Sequence, residues 1–149
     1  MRIVLTIILL TAWISGRSQA AESEVGSELL PKQGVTLKWL GTAGWEIQIA
    51  QTKILIDPFL TRKQPVGAEE WQTDEQAVLH VISGADYIFA GHSHADHIGD
   101  IPFIAKRFGA KVIGSRTTVN LSLSAGVNNS QLTTISGGEK LHFKEFSMQ

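Results

Sequence analysis

The chain has 149 residues and a mass of 16.2 kDa, with 43% hydrophobic and 18% charged residues, a globular composition on the scale of one domain that excludes a long disordered protein. Thirteen Lys and Arg against 14 Asp and Glu give a formal charge of −1, and no basic cluster is present that would neutralise a row of phosphates, so nucleic acid is not an expected partner. The absence of cysteine removes disulfides, thiolate ligands and thiol nucleophiles, so any metal must be held by His and carboxylate.

The first segment reads as a cleaved signal peptide over residues 1–20. Arg2 precedes an apolar stretch from Ile3 to Ile14, and Ser18, Gln19 and Ala20 supply small residues where a signal peptidase reads. At about 1.5 Å per residue this stretch falls well short of a ~30 Å hydrocarbon core, so no integral membrane anchor is expected after cleavage. Removal of residues 1–20 takes away Arg2 and Arg17 and no acid, which leaves 11 basic and 14 acidic residues and a charge of −3. An exported protein, periplasmic or secreted in a bacterium, is expected. Residues 21–33 carry Glu22, Glu24 and Glu28 among Ser and Gly and read as a flexible lead-in to a domain over 34–149.

Val35, Leu37 and Trp39 alternate with Thr36 and Lys38, Gly41 and Gly44 bracket a turn, and Trp45, Ile47 and Ile49 alternate with Glu46 and Gln48, which predicts a hairpin. A short third strand from Lys53 to Ile56 ends at Asp57 and Pro58, because proline cannot donate to a ladder. Leu60 to Gln72 has no periodicity and reads as a loop of the kind that serves as a lid or binding loop, with Trp71 as its large apolar anchor.

Thr73 and Gln76 have capping-box spacing, Val78, Leu79 and Ile82 make a helical stripe, and Gly84 suits the position past its end. Tyr87 to Ala90 predicts a strand covered on both faces. Ile101, Ile104, Ala105 and Phe108 keep one helical face, with Pro102 in the first turn, Lys106 and Arg107 in the last and Gly109 as the stop. Lys111 to Gly114 is the next strand, and the strand, helix, strand order implies a right-handed crossover and a sheet with a parallel part.

Thr117 to Gly126 is read as a helix capped at those two residues, although Val119, Leu121 and Leu123 alternate at period two. Leu132 to Ser136, a turn at Gly137 and Gly138, and Leu141 to Phe146 predict a final hairpin. The fold class is α/β (α+β mixed).

The chemistry lies in His92, Ser93, His94, Ala95, Asp96 and His97, three imidazoles and a carboxylate in six positions between a buried strand and a helix. Residues two apart in extended backbone point the same way, so His92 and His94 can share one ion. Once the chain turns, Asp96 and His97 can face a second ion about 3.5 to 4 Å from the first, the separation used by two-metal hydrolases. Neutral imidazole and carboxylate suit zinc, with manganese or iron also compatible. A chance match at these four positions in a chain of this composition is on the order of two in ten thousand, so the cluster is read as a site. His80, on a short helix, and His142, between Leu141 and Phe143, are read as structural or solvated.

This cluster has the HxHxDH pattern, and with LGTAGWEI (Leu40 to Ile47) and ILIDPF (Ile54 to Phe59) ahead of it the chain resembles the metallo-β-lactamase superfamily over about residues 35–149, most closely its ascorbate-6-phosphate lactonase-like branch. The resemblance implies that His92 and His94 bind one metal, that Asp96 and His97 bind a second, that Asp96 also orients the nucleophile, and that Asp57 supports a ligand His from behind. It implies a hydrolase acting on a small-molecule substrate, in which metal-activated hydroxide attacks a lactone, ester or phosphodiester. The family fold is a four-layer αββα sandwich completed by a further His, a bridging Asp and a last His. No such residues are recognisable after His97, so the chain is expected to be the N-terminal half of such a protein. Two other readings stand beside the hydrolase: a catalytically inactive metal-binding fragment, and an iron-dependent thiol dioxygenase of the same superfamily.

Overall fold

The structure, a computed structural model, describes residues 34–62 and 71–149; the signal-peptide and lead-in readings lie outside these residues, as does the middle of the predicted loop. Six strands form one mixed sheet in sequence order. These are β1 (Val35–Gly41), β2 (Gly44–Ile49), β3 (Thr52–Ile56), β4 (Tyr87–Phe89), β5 (Lys111–Gly114) and β6 (Leu132–Thr134). The first three form an antiparallel meander, and β3 to β6 pair in parallel. The predicted hairpin, the third strand and the parallel part are all present, and a fold of the α/β class results.

Register across the sheet separates its two faces. Leu55, Ile88, Val112 and Leu132 are successive partners, and the first three are fully buried. They pack against Val78 and Ile82 of α1 (Glu75–Val81) and its C-cap, and against Ile101, Ile104 and Ala105 of α3 (Ile101–Phe108). Burying each such aliphatic side chain contributes roughly 1.5–3 kcal/mol, so this row against the helices is the main core.

On the opposite face Ile54, Phe89 and Ile113 meet Phe143, Phe146 and Met148 from a separate two-stranded hairpin, β7 (Leu141–His142) with β8 (Ser147–Met148). The Phe143 and Phe146 rings stack at 4.3 Å, and Phe143 meets Tyr87 edge-on at 4.6 Å. Toward β1 this face is uncovered: Val35, Leu37, Trp39 and Trp45 are exposed, Trp39 by 64%.

Three local expectations change. The cap of α1 is Asp74, whose carboxylate accepts from the Ala77 N–H, whereas Thr73 donates its hydroxyl to the Gly99 carbonyl. Helix α4 spans Arg116–Ser124 and is capped by Ser115, not Thr117. Its buried residues are Thr118 and Ser122, four apart on one face, while Leu121 and Leu123 point outward; the period-two signal came from leucines outside the core. Finally, Leu132 to Ser136 does not pair with Leu141 to Phe146.

Instead β6 extends the parallel sheet, with the Ile135 N–H donating to Gly114, and the hairpin forms within residues 141–148. Gly137 and Gly138, at φ 103° and 86°, turn the chain between them. The Glu139 carboxylate accepts from the Ser136 and Gly137 N–H groups at 2.7 Å each. The Ser136 bond leads the effects that hold its pKa below the ordinary 4.5. Among the described residues no helix is long and apolar enough to cross a membrane.

Candidate metal centre

The parallel strands place the site. β3, β4 and β5 run side by side, and their carboxyl ends deliver Asp57, then Gly91 and His92, then Ser115 to one edge of the sheet, where α/β folds bind ligands. Asp57 is 7% exposed and sits at φ 43°, a left-handed conformation that Asp tolerates better than most residues. Its N–H donates to Phe89 and its Oδ1 accepts from the Gly91 N–H at 2.7 Å, so the carboxylate is fixed to the end of β4. Gly91 is needed for this approach, because a Cβ there would lie 2.9 Å from Asp57 Oδ2.

After Gly91 the chain bends at His92 and again at His94, itself in extended backbone (φ −77°, ψ 155°), and then turns into α2 (Ala95–Ile98). The turn is closed by the His97 and Ile98 N–H groups, each donating to the His94 carbonyl at 3.0 Å. His92 Nε2 and His94 Nδ1 come within 3.2 Å, and the His92 and His97 rings lie 3.7 Å apart. Ligand atoms of His92, Asp96 and His97 all fall within 4.8 Å of one another.

His97 Nε2 is 3.7 Å from Asp96 Oδ2, and its Nδ1 is 2.9 Å from Asp57 Oδ2. That last approach is a close contact, in which Nδ1 makes no hydrogen bond of good direction. His92, Asp96 and His97 therefore converge with Asp57 behind His97, whereas His94 meets His92 and is not in that three-residue group. His80 and His142 are exposed and belong to no such cluster among the described residues.

The chemistry of the donor set suits a divalent ion. Two imidazole nitrogens facing each other at 3.2 Å can share at most one proton between them, and a third ring is crowded against the first. No Lys or Arg contacts the Asp96 carboxylate in the salt bridges among the described residues. Converging lone pairs without a neutralising side chain fit a bound cation. The fit is also supported behind the site: Asp57 faces His97 Nδ1, the arrangement that keeps the proton there and frees Nε2 as a donor.

Two features here escaped the sequence reading. Ser93, inside the pattern, joins its hydroxyl to Ser115 at 3.0 Å and to Thr118 at 2.9 Å, which pins the loop to the start of α4. Asp100 is fully buried and its carboxylate accepts from the N–H groups of Leu60 and Thr61 and from the Thr61 hydroxyl. Asp100 stands at the N-cap position of α3, but its side chain makes no capping bond. Beside the loop a cavity of about 230 Å³ opens among Trp71, Ala95, Ile98, Pro102 and Leu121. Trp71 also packs against Phe59, with ring centroids 5.7 Å apart.

The family model described as the metallo-beta-lactamase superfamily matches residues 37–138. The chain belongs to this superfamily. Within it, a UPF0173 metal-dependent hydrolase of Thermococcus onnurineus is 38% identical over 101 residues, covering 68% of this chain and 39% of the relative. A second from Caldivirga maquilingensis is 32% identical over 106 residues, covering 70% and 42%. Among solved structures, a metallo hydrolase of the archaeon Ignicoccus hospitalis superposes with a TM-score of 0.53 at 26% identity, over 72% of this chain and 42% of its own. The chain thus spans about two fifths of the length of these relatives.

Proposed function

We propose that the protein is a metal-dependent hydrolase whose ions are held by His92, His94, Asp96 and His97. The observation that carries this reading is the convergence of His92, Asp96 and His97 with Asp57 behind His97. His92 with His94, and Asp96 with His97, are assigned to two divalent ions, zinc first, with manganese or iron as the other cations that suit these donors. A divalent ion bound there supplies Lewis acidity and lowers the pKa of a coordinated water toward neutrality.

The chain's own residues do the rest. Asp57 keeps the His97 proton on Nδ1. Asp96, 42% exposed at its side chain, faces the open side and is placed to orient the attacking nucleophile through its carboxylate. The cavity beside the loop has an apolar lining, which suits the hydrocarbon part of an ester or lactone better than a second charged group of a phosphodiester. The relatives' names support the hydrolase class and leave the substrate to this argument. We also propose export, with Ala21 as the first mature residue.

The test is metal content and hydrolysis after substitution. His92→Ala, His94→Ala, Asp96→Ala and His97→Ala should each lower bound zinc, whereas His80→Ala and His142→Ala should not. Equal loss in all six variants would mean that folding, not ligation, was being read, and would sink the assignment. Acyl esters, lactones and phosphodiesters assayed in parallel separate the substrate classes.

A further inference from the structure

Two short segments run side by side at the back of the metal loop, Asp57 to Thr61 and His97 to Asp100. They are tied twice, and in opposite senses. At one end the first segment provides the carboxylate, with Asp57 Oδ2 2.9 Å from His97 Nδ1. At the other end the second segment provides it: Asp100 Oδ2 accepts from the Leu60 N–H at 2.6 Å and the Thr61 N–H at 2.9 Å, and Oδ1 accepts from the Thr61 hydroxyl. Thr61 passes the tie onward, since its Oγ1 accepts from the N–H of Asp74, the cap of α1.

We infer that Asp100 is a positioning residue for the metal centre, setting where His97 stands against Asp57. The reason is an asymmetry between the two segments. Asp57 is anchored by its own bonds to Phe89 and Gly91 at the end of β4. His97 is held less directly: it rides on the four-residue helix α2, too short to hold itself, whose Ile98 enters the core and whose end is met at Gly99 by the Thr73 hydroxyl. Upstream, α2 leaves from exposed His94; downstream it is followed by Gly99 and then Asp100, which is fully buried. A carboxylate with no exposure and three donors resists displacement strongly, since moving it strands both the anion and two backbone N–H groups. It therefore fixes the downstream end of α2 to the same segment that carries Asp57.

This inference rests on the proposal that His97 binds metal through Nε2, and the experiment separates the two. Zinc affinity of the full chain is measured by chelator competition for wild type, Asp100→Ala, Asp100→Asn and Thr61→Val, with Ile104→Val as a core variant that lowers stability away from the loop. The ¹⁵N shifts of the His97 imidazole are recorded in metal-free protein. Asp100→Ala should weaken zinc binding by about tenfold or more and populate the Nε2–H tautomer. Asp100→Asn should stay within about threefold of wild type, because its amide oxygen still accepts from the backbone and its NH₂ can donate to Thr61.

Thr61→Val, which removes the hydroxyl that donates to Asp100 Oδ1 and accepts from the Asp74 N–H, should fall between them. It decides the matter alone if Asp100→Ala does not fold, and wild-type affinity in it then overturns the inference. Unchanged His97 shifts and unchanged affinity in Asp100→Ala would also overturn it, as would equal weakening by Ile104→Val at matched stability. If wild type binds no zinc, the metal reading fails, and the His97 shifts of the metal-free variants still decide the role of Asp100.

Discussion

Asp57→Asn separates what Asp57 does for the fold from what it does for the metal. The two side chains are nearly the same size, and Asn tolerates the φ of 43° at this position about as well as Asp. The Asn oxygen can keep the 2.7 Å bond from the Gly91 N–H. Its NH₂ must then face His97 Nδ1, where Asp57 Oδ2 stood at 2.9 Å. A donor facing Nδ1 favours a lone pair on that nitrogen and moves the ring proton to Nε2, which is the atom needed for the metal.

The loss of such a supporting partner costs about 10- to 100-fold in metal affinity, or about 1.4–2.8 kcal/mol. Metal-free stability should move little. Asp57→Ala, by contrast, strands the Gly91 N–H, at about 1–3 kcal/mol, and puts Ala in a left-handed conformation, at roughly 1 kcal/mol more. Urea unfolding of the metal-free proteins and zinc competition of the folded ones measure the two losses independently. If Asp57→Asn keeps wild-type zinc affinity, Asp57 does not set the His97 tautomer. If it loses as much metal-free stability as Asp57→Ala, the separation argued here is wrong.

Gly91→Ala should also weaken zinc binding, since its Cβ would meet Asp57 Oδ2 at 2.9 Å and push the carboxylate from His97; chelator competition reads this, and wild-type affinity would refute the close approach. Trp39→Lys and Trp45→Lys should reduce self-association of the chain, because both side chains stand exposed on the uncovered sheet face. Light scattering at rising concentration checks this, and unchanged association would place the contact elsewhere. Mass spectrometry of the exported protein should find Ala21 at the N-terminus, and an intact Met1 would reject the leader reading.

Where the sequence was legible, one residue type did one local job. β1 and β2 alternate because one face of each strand is apolar, and Gly109 ends α3 in the left-handed conformation, φ 72°, that glycine adopts without strain. The pattern from His92 to His97 was legible for the same reason: its imidazoles and carboxylate are neighbours in the chain, so no tertiary knowledge is needed to see them as a cluster. Asp57 was legible as a strand end before proline, but its contact with His97 depends on the parallel pairing of β3 with β4, which no local pattern states.

What was missed is polar and buried. Thr118 faces inward on α4 with its hydroxyl against Ser93 and Ser115, and Ser122 is buried one turn on, so the apolar periodicity that marks most helices is inverted there. Asp100 carries no local signal, because its partners are the Leu60 and Thr61 N–H groups far upstream in the chain. The misplaced final hairpin has the same cause. Leu132 to Thr134 has two possible partners, a following strand close in sequence or the open edge of β5, and the local turn signal at Gly137 and Gly138 points to the first. The edge wins because β5 otherwise leaves a row of N–H and C=O groups unpaired beside a buried strand, an expense that a two-residue hairpin elsewhere does not relieve. Just past the end of β5, Ser115 and Thr118 meet the Ser93 hydroxyl and so hold the loop that carries the histidines.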